Sequence, residues 1–367
     1  MRVGIINKHT IGNIPFYYFL KRGSMMKAIV YHNVNDFRME DIQSPEIGYG
    51  EVLLKLKACG LCGTDIHKAV YKTVNPKTIL GHEYAGEIVQ VGKGVTKFKV
   101  GDRVVGAIHV PCFTCHYCQR GHYTLCPEFR ETNIDPGGFA EYIRLSERHV
   151  RHLLFKIPND MSYQHASLAE PVACCIHGQK SANIHPGDNV LIMGAGPIGV
   201  IHGQLLKHKN VSNVIISDVS EYKLSKAKEF GIDHTVNIKH ESLKDVVDRV
   251  TNNQGVDTVI IAAGVSSLLS EAVQLLRRGG RIICFSPFDK NPEVTIDAGR
   301  FFKDEISIIG TYSVSPYEFE EAILHISNGT IDAKKMITHE MTIDQVGEAI
   351  TLASNPDEEV MKVVIIN

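Results

Sequence analysis

The feature that most constrains the fold is a glycine triplet between an apolar run and a stretch with helical periodicity. Gly194, Gly196 and Gly199 follow the run NVLIM (189–193), which is apolar from Val190 onward, and a helix is predicted from about Pro197, with Ile198 in its first turn, to Lys209. This spacing lets the chain turn tightly, approach a pyrophosphate with its backbone and pack the helix against the strand. The helix N-terminus offers unpaired N–H groups to phosphates. The motif therefore predicts a dinucleotide site on a parallel sheet.

The following strand indicates which dinucleotide is bound. It ends at Asp218, nineteen residues after Gly199. A carboxylate at that position accepts hydrogen bonds from the ribose hydroxyls and repels a 2′-phosphate, which predicts NAD rather than NADP. Lys223 tempers this preference, because a nearby cation tolerates the extra phosphate. The alternative is a glycine-rich turn that binds no ligand.

The pattern of apolar residues divides the chain. From Asn189 onward strands alternate with helices, which is typical of βαβ units and a parallel sheet. Residues 26–157 instead contain short apolar runs broken by Gly and Pro, which predicts a β-rich module. Residues 1–25 fit neither pattern, and we interpret them as an upstream extension, with a partner-binding arm as the alternative.

Composition excludes several classes of protein. The 367 residues carry 39 Lys and Arg against 41 Asp and Glu, so the net charge of −2 gives no electrostatic basis for binding nucleic acid or an anionic membrane. No apolar run approaches 18 residues, so no transmembrane helix is predicted. No secretory signal is recognisable, which predicts a reducing, cytoplasmic location in which cysteines serve as thiols or metal ligands.

The strongest metal motif is a set of four closely spaced cysteines. Cys112, Cys115, Cys118 and Cys126 lie within fifteen residues, and Gly121 lets the chain turn back so that the last of them completes the set. Four thiolates suit one tetrahedral zinc ion in a closed structural site. Disulfides and an iron–sulfur cluster remain the alternatives.

A second set of candidate metal ligands is dispersed along the chain. Cys62 lies in GLCGTDIH, His82 and Glu83 lie in GHE, and Glu170 lies in AEP. A cysteine, a histidine and a carboxylate suit zinc with an open position, which is the catalytic geometry. Cys59 is interpreted as a small buried hydrophobe, although a redox pair with Cys62 is the alternative.

In their order and spacing, these motifs resemble those of the zinc-dependent medium-chain alcohol and polyol dehydrogenases. GHEYAGEIVQVG, the four cysteines, GAGPIG and Asp218 carry the resemblance, and CGTDIH and AEP are similar to the sorbitol and threonine dehydrogenase branches. The resemblance covers Met26 to Asn367 and implies an α/β fold. Its implied parts are a GroES-like catalytic domain (26–171) with a structural zinc lobe (111–127), a doubly wound Rossmann domain (172–312) and a C-terminal segment that completes the catalytic domain (313–367).

The resemblance also implies roles for the dispersed residues. Cys62 and His82 match catalytic zinc ligands, and the third ligand is either Glu83 or Glu170, with the other contacting the metal-bound water. Asp65 matches an acid that orients the histidine ligand and fixes its tautomer.

Proton transfer and nicotinamide binding are implied in the same way. Thr64 matches the hydroxyl that takes the alcohol proton, and His67 matches the relay that passes it toward solvent. The residues implied to lie near the nicotinamide ring are Phe285, Ser286, Pro287, Thr311, Tyr312 and Ser313.

Two residues differ from the family pattern at positions that the resemblance places near the substrate. Lys68 stands where sorbitol dehydrogenases have a substrate-contacting tyrosine, and Ser313 stands where they have an arginine. The predicted function is NAD- and zinc-dependent oxidation of a secondary alcohol or polyol to a ketone by a homodimer or homotetramer. The alternatives are L-threonine 3-dehydrogenase and a non-catalytic NAD(H)-binding protein.

Overall fold

The structure, a computed structural model, describes residues 23–288 and 293–367. Residues 1–22, which hold most of the predicted extension, lie outside the described residues. The strands are β1 (Met25–Asn33), β2 (Asp36–Gln43), β3 (Val52–Gly60), β4 (Glu83–Val91), β5 (Arg103–Gly106), β6 (Tyr142–Leu145), β7 (Leu154–Lys156), β8 (Asn189–Met193), β9 (Asn213–Asp218), β10 (His234–Asn237), β11 (Val256–Ile261), β12 (Leu276–Cys284), β13 (Ser307–Gly310), β14 (Ile337–Thr342) and β15 (Lys362–Ile366). The helices are α1 (Gly63–Val70), α2 (Glu147–His152), α3 (Tyr163–Ala166), α4 (Ala169–Ser181), α5 (Pro197–His208), α6 (Glu221–Glu229), α7 (Leu243–Thr251), α8 (Leu268–Leu275), α9 (Ala298–Lys303), α10 (Phe319–Ser327), α11 (Ala333–Met336) and α12 (Val346–Ser354).

The second half of the chain forms a parallel sheet with the strand order β10-β9-β8-β11-β12-β13. This is the order of a doubly wound Rossmann sheet, in which the first strand lies beside both the second and the fourth. β8 is almost wholly buried, because helices cover both faces of such a sheet. The predicted α/β class and the predicted parallel sheet are confirmed.

The first half of the chain forms a mixed sheet ordered β14-β15-β3-β4-β5-β7, with β6 paired to β3. β14 and β15 come from the end of the sequence, and β15 pairs antiparallel with β3. The C-terminal strands therefore join the sheet that begins the chain. β1 and β2 form a separate hairpin.

One hydrophobic cluster joins the two halves. It includes Val105 of β5, Val172 of α4 and Ile192 of β8, each with no solvent exposure. The two sheets consequently pack on shared side chains. Within the described residues, no helix is long and apolar enough to cross a membrane.

The β-rich module contains elements that the apolar pattern did not predict. α1 follows β3 directly, and the apolar pattern of the sequence does not predict a helix over its span GTDIHKAV. β2 was missed because its sequence DFRMEDIQ is polar and no residue of that strand is fully buried. Pairing with β1, rather than burial, holds this strand in place.

Candidate functional site

Three candidate metal ligands converge where β3 ends and β4 begins. One ligand atom from each of Cys62, His82 and Glu83 lies within 4.8 Å of the others. Cys62 caps the N-terminus of α1, and its Sγ accepts a hydrogen bond from the backbone N–H of Thr64 at 3.4 Å. Sulfur, imidazole and carboxylate donors at this separation fit zinc.

Asp65 fixes the geometry of these ligands. Its Oδ1 lies 3.2 Å from Nδ1 of His82 and accepts a hydrogen bond from the N–H of Gly81, while its Oδ2 accepts one from the N–H of Cys62. Burial by itself would raise the pKa of Asp65, but the charge of His82 and these hydrogen bonds hold that pKa below its ordinary value. The carboxylate is therefore ionised, and it leaves Nε2 of His82 for the metal.

Glu83 has a partner that sequence reasoning missed. Nζ of Lys362, at the start of β15, lies 2.5 Å from Oε2 of Glu83 and donates a hydrogen bond to the carbonyl of Leu61 at 3.0 Å. Both side chains are at most 5% exposed, so the attraction is poorly screened. The one signal in the sequence is a lysine that opens the apolar run 362–366. Gly60 makes room for this contact, because a Cβ there would overlap Oε2 of Glu83.

Glu170 lies nearby but outside the three-ligand set. It occupies the first turn of α4, and its Oε1 accepts a hydrogen bond from Sγ of Cys174 at 3.4 Å. Burial raises the pKa of Glu170, and the charge of Glu83 raises it further. Cys174, which follows Glu170 by one helical turn, is a second contact that the sequence did not reveal.

The remaining predicted proton-transfer residues lie on α1. Thr64 and His67 are exposed, and the ring of His67 contacts Tyr71 at 4.7 Å between centroids. The structure does not place the Thr64 hydroxyl and the His67 ring in hydrogen-bond contact with each other. Lys68 lies one turn after Thr64, so the two side chains share one face of the helix.

The four cysteines of the predicted zinc lobe come together as a separate cluster. Their sulfur atoms lie within 4.8 Å of one another, and each thiol is free. Backbone N–H groups of Cys112 and Cys115 donate to the sulfurs of Cys126 and Cys112, each at 3.3 Å. Gly121 takes the left-handed conformation, with φ +79°, at the predicted turn. Four sulfurs with these contacts fit a tetrahedral zinc ion.

The glycine triplet lies where the sequence predicts it, between β8 and α5. Gly194 has φ +114°, and a Cβ at Gly199 would overlap the carbonyl oxygen of Gly194. A Cβ at Gly196, the N-cap of α5, would meet no atom within 4 Å. The backbone is thus open to a ligand at Gly196, followed by Pro197 and Ile198 in the first turn of the helix.

Asp218 ends β9 beside this turn. Its Oδ2 accepts a hydrogen bond from the N–H of Ala195 at 2.7 Å, and its Oδ1 accepts from the N–H groups of Val219 and Ser220. The carboxylate therefore also holds the glycine turn, a role that the sequence did not indicate. Lys223 lies in the first turn of α6 and is partly exposed.

The predicted nicotinamide-side residues follow two adjacent strands. Phe285, Ser286 and Pro287 come after β12, and the segment Thr311–Ser313 comes after β13, at the same edge of the sheet as the glycine turn. Oγ1 of Thr311 is buried and has no hydrogen-bond partner among the described residues. Ser313 adopts φ +57°, an uncommon conformation for a residue other than glycine.

α4 connects the metal ligands with this edge. Gly178 lies eight residues after Glu170, about 12 Å along the helix axis, and a Cβ there would come within 2.9 Å of the Phe285 ring. The rings of His202 on α5 and Phe285 are nearly perpendicular, with centroids 4.6 Å apart. α4 therefore links the surroundings of the candidate metal ligands with the dinucleotide edge of the Rossmann sheet.

Comparison with known proteins identifies the family. Residues 48–159 match the alcohol dehydrogenase GroES-like domain, and residues 197–328 match the zinc-binding dehydrogenase domain. The sorbitol dehydrogenase of Bacillus subtilis (strain 168) is 33% identical over 347 residues, which is 93% of this chain and 97% of the relative. The L-threonine 3-dehydrogenase of Idiomarina loihiensis is 32% identical over 83% of this chain and 89% of the relative.

Solved structures agree with this comparison. A zinc-binding dehydrogenase from Sinorhizobium meliloti 1021 bound to NADP has a TM-score of 0.84 and 30% identity, and covers 94% of this chain and all of that one. An alcohol dehydrogenase from Escherichia coli CFT073 complexed with NADH has a TM-score of 0.85 and 30% identity over the same shares. The chain belongs to the zinc-dependent medium-chain dehydrogenases, with a GroES-like domain and a Rossmann-like sheet, and it is an oxidoreductase of that family.

Proposed function

We propose that the protein oxidises a secondary alcohol or polyol to a ketone with NAD, reversibly, at a catalytic zinc site. The observation that carries the proposal is the Cys62, His82 and Glu83 ligand set, which α4 connects with the dinucleotide edge of the Rossmann sheet. A second zinc ion in the four-cysteine lobe has a structural role.

The side chains of the candidate site have separate roles in this proposal. Bound zinc supplies Lewis-acid polarisation of the alcohol oxygen, and NAD accepts the hydride. Asp65 holds His82 in the tautomer that a ligand needs. The Thr64 hydroxyl accepts the alcohol proton, and His67 passes it to solvent.

Glu83 is the proposed third ligand, because one of its carboxylate oxygens lies within 4.8 Å of ligand atoms of Cys62 and His82, whereas Glu170 is outside that set. Glu170 remains within the electrostatic reach of His82 and Glu83. Its proposed role is to accept a hydrogen bond from the metal-bound water or a substrate hydroxyl.

Two observations favour an NAD-dependent enzyme over NADP dependence and over a non-catalytic protein. Asp218 faces the glycine turn with a carboxylate that repels a 2′-phosphate, although Lys223 on the next helix reduces that repulsion. The candidate ligands Cys62 and His82 and the hydroxyl of Thr64 are all present, which argues against a non-catalytic NAD(H)-binding protein. L-threonine 3-dehydrogenase activity remains the second candidate on the likeness to those enzymes.

The proposal is tested by following NADH absorbance with metal-replete protein. The alcohols are sorbitol, xylitol, galactitol, myo-inositol, 2,3-butanediol and L-threonine, each with saturating NAD. Turnover of one or more polyols supports the proposal. A panel that L-threonine leads replaces it with the second candidate, and binding of NADH without any turnover favours a non-catalytic protein.

The proposal also covers the oligomeric state, the domain boundaries and the cellular location of the protein. β13 is an edge strand of the Rossmann sheet, and Ile308 on β13 and Phe302 on α9 are exposed, which supports a homodimer or homotetramer built through this edge. The proposed domain limits are 26–171, 172–312 and 313–367. Cysteines kept as free thiols support a cytoplasmic location.

A further inference from the structure

Tyr312 joins the segment 311–313, which follows β13, to the four-cysteine lobe. The centroid of its ring lies 6.4 Å from that of Phe129, with 73° between the ring planes, and 4.7 Å from the guanidinium carbon of Arg130. Phe129 has no solvent exposure and belongs to the same small core as Cys118 and Cys126. Ring pairs and cation–π contacts at such distances are attractive. The Tyr312 ring is therefore held by the part of the chain that the cysteines bring together.

A second contact between the lobe and this part of the chain lies a few residues later. The rings of Tyr123 and Tyr317 have centroids 5.5 Å apart, and their hydroxyl oxygens lie 3.3 Å apart. Tyr123 belongs to the lobe, where its ring also lies 5.8 Å from that of Phe113. The two contacts of the lobe thus lie on either side of residues 313–316, where the chain leaves the Rossmann sheet.

The residues between the two contacts are anchored toward α4. Oε2 of Glu318 accepts hydrogen bonds from the N–H of Ser315 at 3.0 Å and from its hydroxyl at 2.5 Å, and lies 3.8 Å from Nδ1 of His177 on α4. Val314 and Ser315 are at most 5% exposed. Ser313 adopts φ +57°, which a residue other than glycine keeps only where its surroundings hold it. The lobe holds the residue before it, and the anchored residues follow it.

The Rossmann sheet alone does not fix this segment. The pairing of β12 with β13 ends at Cys284 and Gly310, and one more backbone hydrogen bond follows, from the N–H of Thr311 to the carbonyl of Cys284 at 3.3 Å. Within the part of the chain that the structure describes, the backbone of Tyr312 and Ser313 makes no hydrogen bond. Side-chain contacts therefore decide where these two residues lie.

We propose that the four-cysteine lobe positions the nicotinamide end of the bound cofactor, with Tyr312 and Tyr317 as the positioning residues through which it acts. The inference rests on the proposed function, which places residues 311–313 beside the nicotinamide ring. A ligand that meets a segment already held in place loses less free energy to ordering when it binds. Loss of the lobe contacts should therefore weaken binding of the nicotinamide end. The pyrophosphate and the adenosine ribose, for which Gly196 and Asp218 are proposed, should bind as before.

The experiment compares two ligands, of which only one has a nicotinamide ring. We would measure the Kd of NADH and of ADP-ribose by calorimetry with metal-loaded protein. The double variant Tyr123→Ala/Arg130→Ala changes side chains of the lobe region and leaves the segment after β13 intact. It should raise the Kd of NADH about tenfold, which is the combined effect of one aromatic pair and one cation–π contact. The Kd of ADP-ribose should stay at the wild-type value.

Variants of Tyr312 test the other side of the same contact. Tyr312→Ala should weaken NADH binding selectively, as the lobe variant does, and Tyr312→Phe, which keeps the ring, should restore most of the lost affinity. If Tyr312 acts through the lobe, adding Arg130→Ala to Tyr312→Ala should change nothing further, because their contact is already lost. Additive losses would mean that the two side chains act independently, and would overturn the proposal.

Tyr117→Ala is the matched control. Tyr117 is another exposed tyrosine of the lobe, and its ring contacts that of His116, at 5.5 Å. This variant should keep the wild-type Kd of both ligands. Elemental analysis should find the wild-type zinc content in every variant. If the double lobe variant loses zinc, the comparison of Tyr312→Ala with Tyr312→Phe decides the proposal by the same two Kd values.

The remaining outcomes are equally decisive. Equal weakening of NADH and ADP-ribose binding would indicate a general loss of structure, and wild-type NADH affinity in the double lobe variant would show that the lobe does not act on the cofactor. Either result overturns the proposal. If no alcohol of the panel is oxidised, the proposed function fails, while the two Kd values still decide this inference. Wild-type protein that binds NADH no more tightly than ADP-ribose has no nicotinamide contact to position, and would also overturn it.

Discussion

Thr64 lies two residues after Cys62, and its hydroxyl has no hydrogen-bond partner among the described residues. Thr64→Val keeps the side-chain volume and removes this hydroxyl. We expect kcat to fall by about 100-fold, which is within the usual range for the loss of a general acid–base group. Steady-state kinetics with the best alcohol of the panel measure the effect.

His67→Gln is the comparison for that variant. Its fall in kcat should be smaller than that of Thr64→Val, because water can replace the group at the solvent end of the relay. Zinc content and NADH affinity should stay at wild-type values in both variants. A Thr64→Val enzyme with undiminished kcat would eliminate the proposed proton path.

Asp218 combines two functions in one carboxylate, since it holds the N–H of Ala195 and faces the proposed ribose site. Asp218→Gly should narrow or reverse the preference for NAD, because it removes the charge that a 2′-phosphate would approach. The ratio of kcat/KM for NAD to that for NADP measures this preference.

Asp218→Gly also removes the hydrogen bond from the N–H of Ala195, and this loss is expected to loosen the glycine turn. Asp218→Asn keeps hydrogen-bonding atoms and removes the charge, so it separates the two functions. Equal or greater kcat/KM with NADP in the wild type would mean that Lys223 outweighs Asp218.

At the scale of elements, the zinc lobe and the β3–α1 junction should respond differently to loss of metal. Cys115→Ser should lose the metal of the lobe and lower the melting temperature, because that segment contains only short 3₁₀ turns and a small core of cysteines and Phe129. Cys62→Ser should lose the other metal with a much smaller thermal shift, since β3 and β4 pair along their whole length.

Elemental analysis with thermal unfolding measures both effects. Two zinc ions per wild-type chain and one in each variant are expected. One zinc ion or fewer in fully loaded wild-type protein would contradict the two-site prediction.

Elements with a strong periodic signal could be predicted from the sequence, and others could not. β8 and α5 lie where the glycine triplet places them, because only one local geometry suits those glycines. The apolar residues of β15 do not by themselves predict its partner, because its place beside β3 depends on contacts between distant parts of the chain. The family resemblance implied only that residues 313–367 complete the catalytic domain. The same holds for the site: the candidate ligands Cys62 and His82 follow from motifs, whereas Lys362 reaches Glu83 only through that pairing.

At the scale of the whole molecule, lowering the pH should destabilise the fold at pH values at which ordinary carboxylates are still ionised. His149 is fully buried between the carbonyl of Ile108 and the hydroxyl of Ser146, and burial lowers its pKa to about 4. The unfolded chain therefore binds a proton at higher pH than the folded chain does. The free energy of unfolding should have its full value above about pH 6.5. It should fall by about 3 kcal/mol toward pH 4 because of this residue.

Urea unfolding at pH 7 and pH 5 measures that decline. His149→Gln, which cannot take up the proton, should show the smaller loss, while His185→Gln replaces an exposed histidine and should keep the wild-type loss. An identical loss in wild type and His149→Gln would place the acid sensitivity elsewhere.

The pairing of β15 with β3 also bears on when the candidate metal site can form during synthesis. Cys62, His82 and Glu83 leave the ribosome early, yet the buried cation that neutralises Glu83 is made only after the entire Rossmann sheet. A nascent chain therefore exposes an acidic, uncompensated ligand set for most of its translation. The finished centre matures last, when the strand that carries Lys362 inserts beside β3.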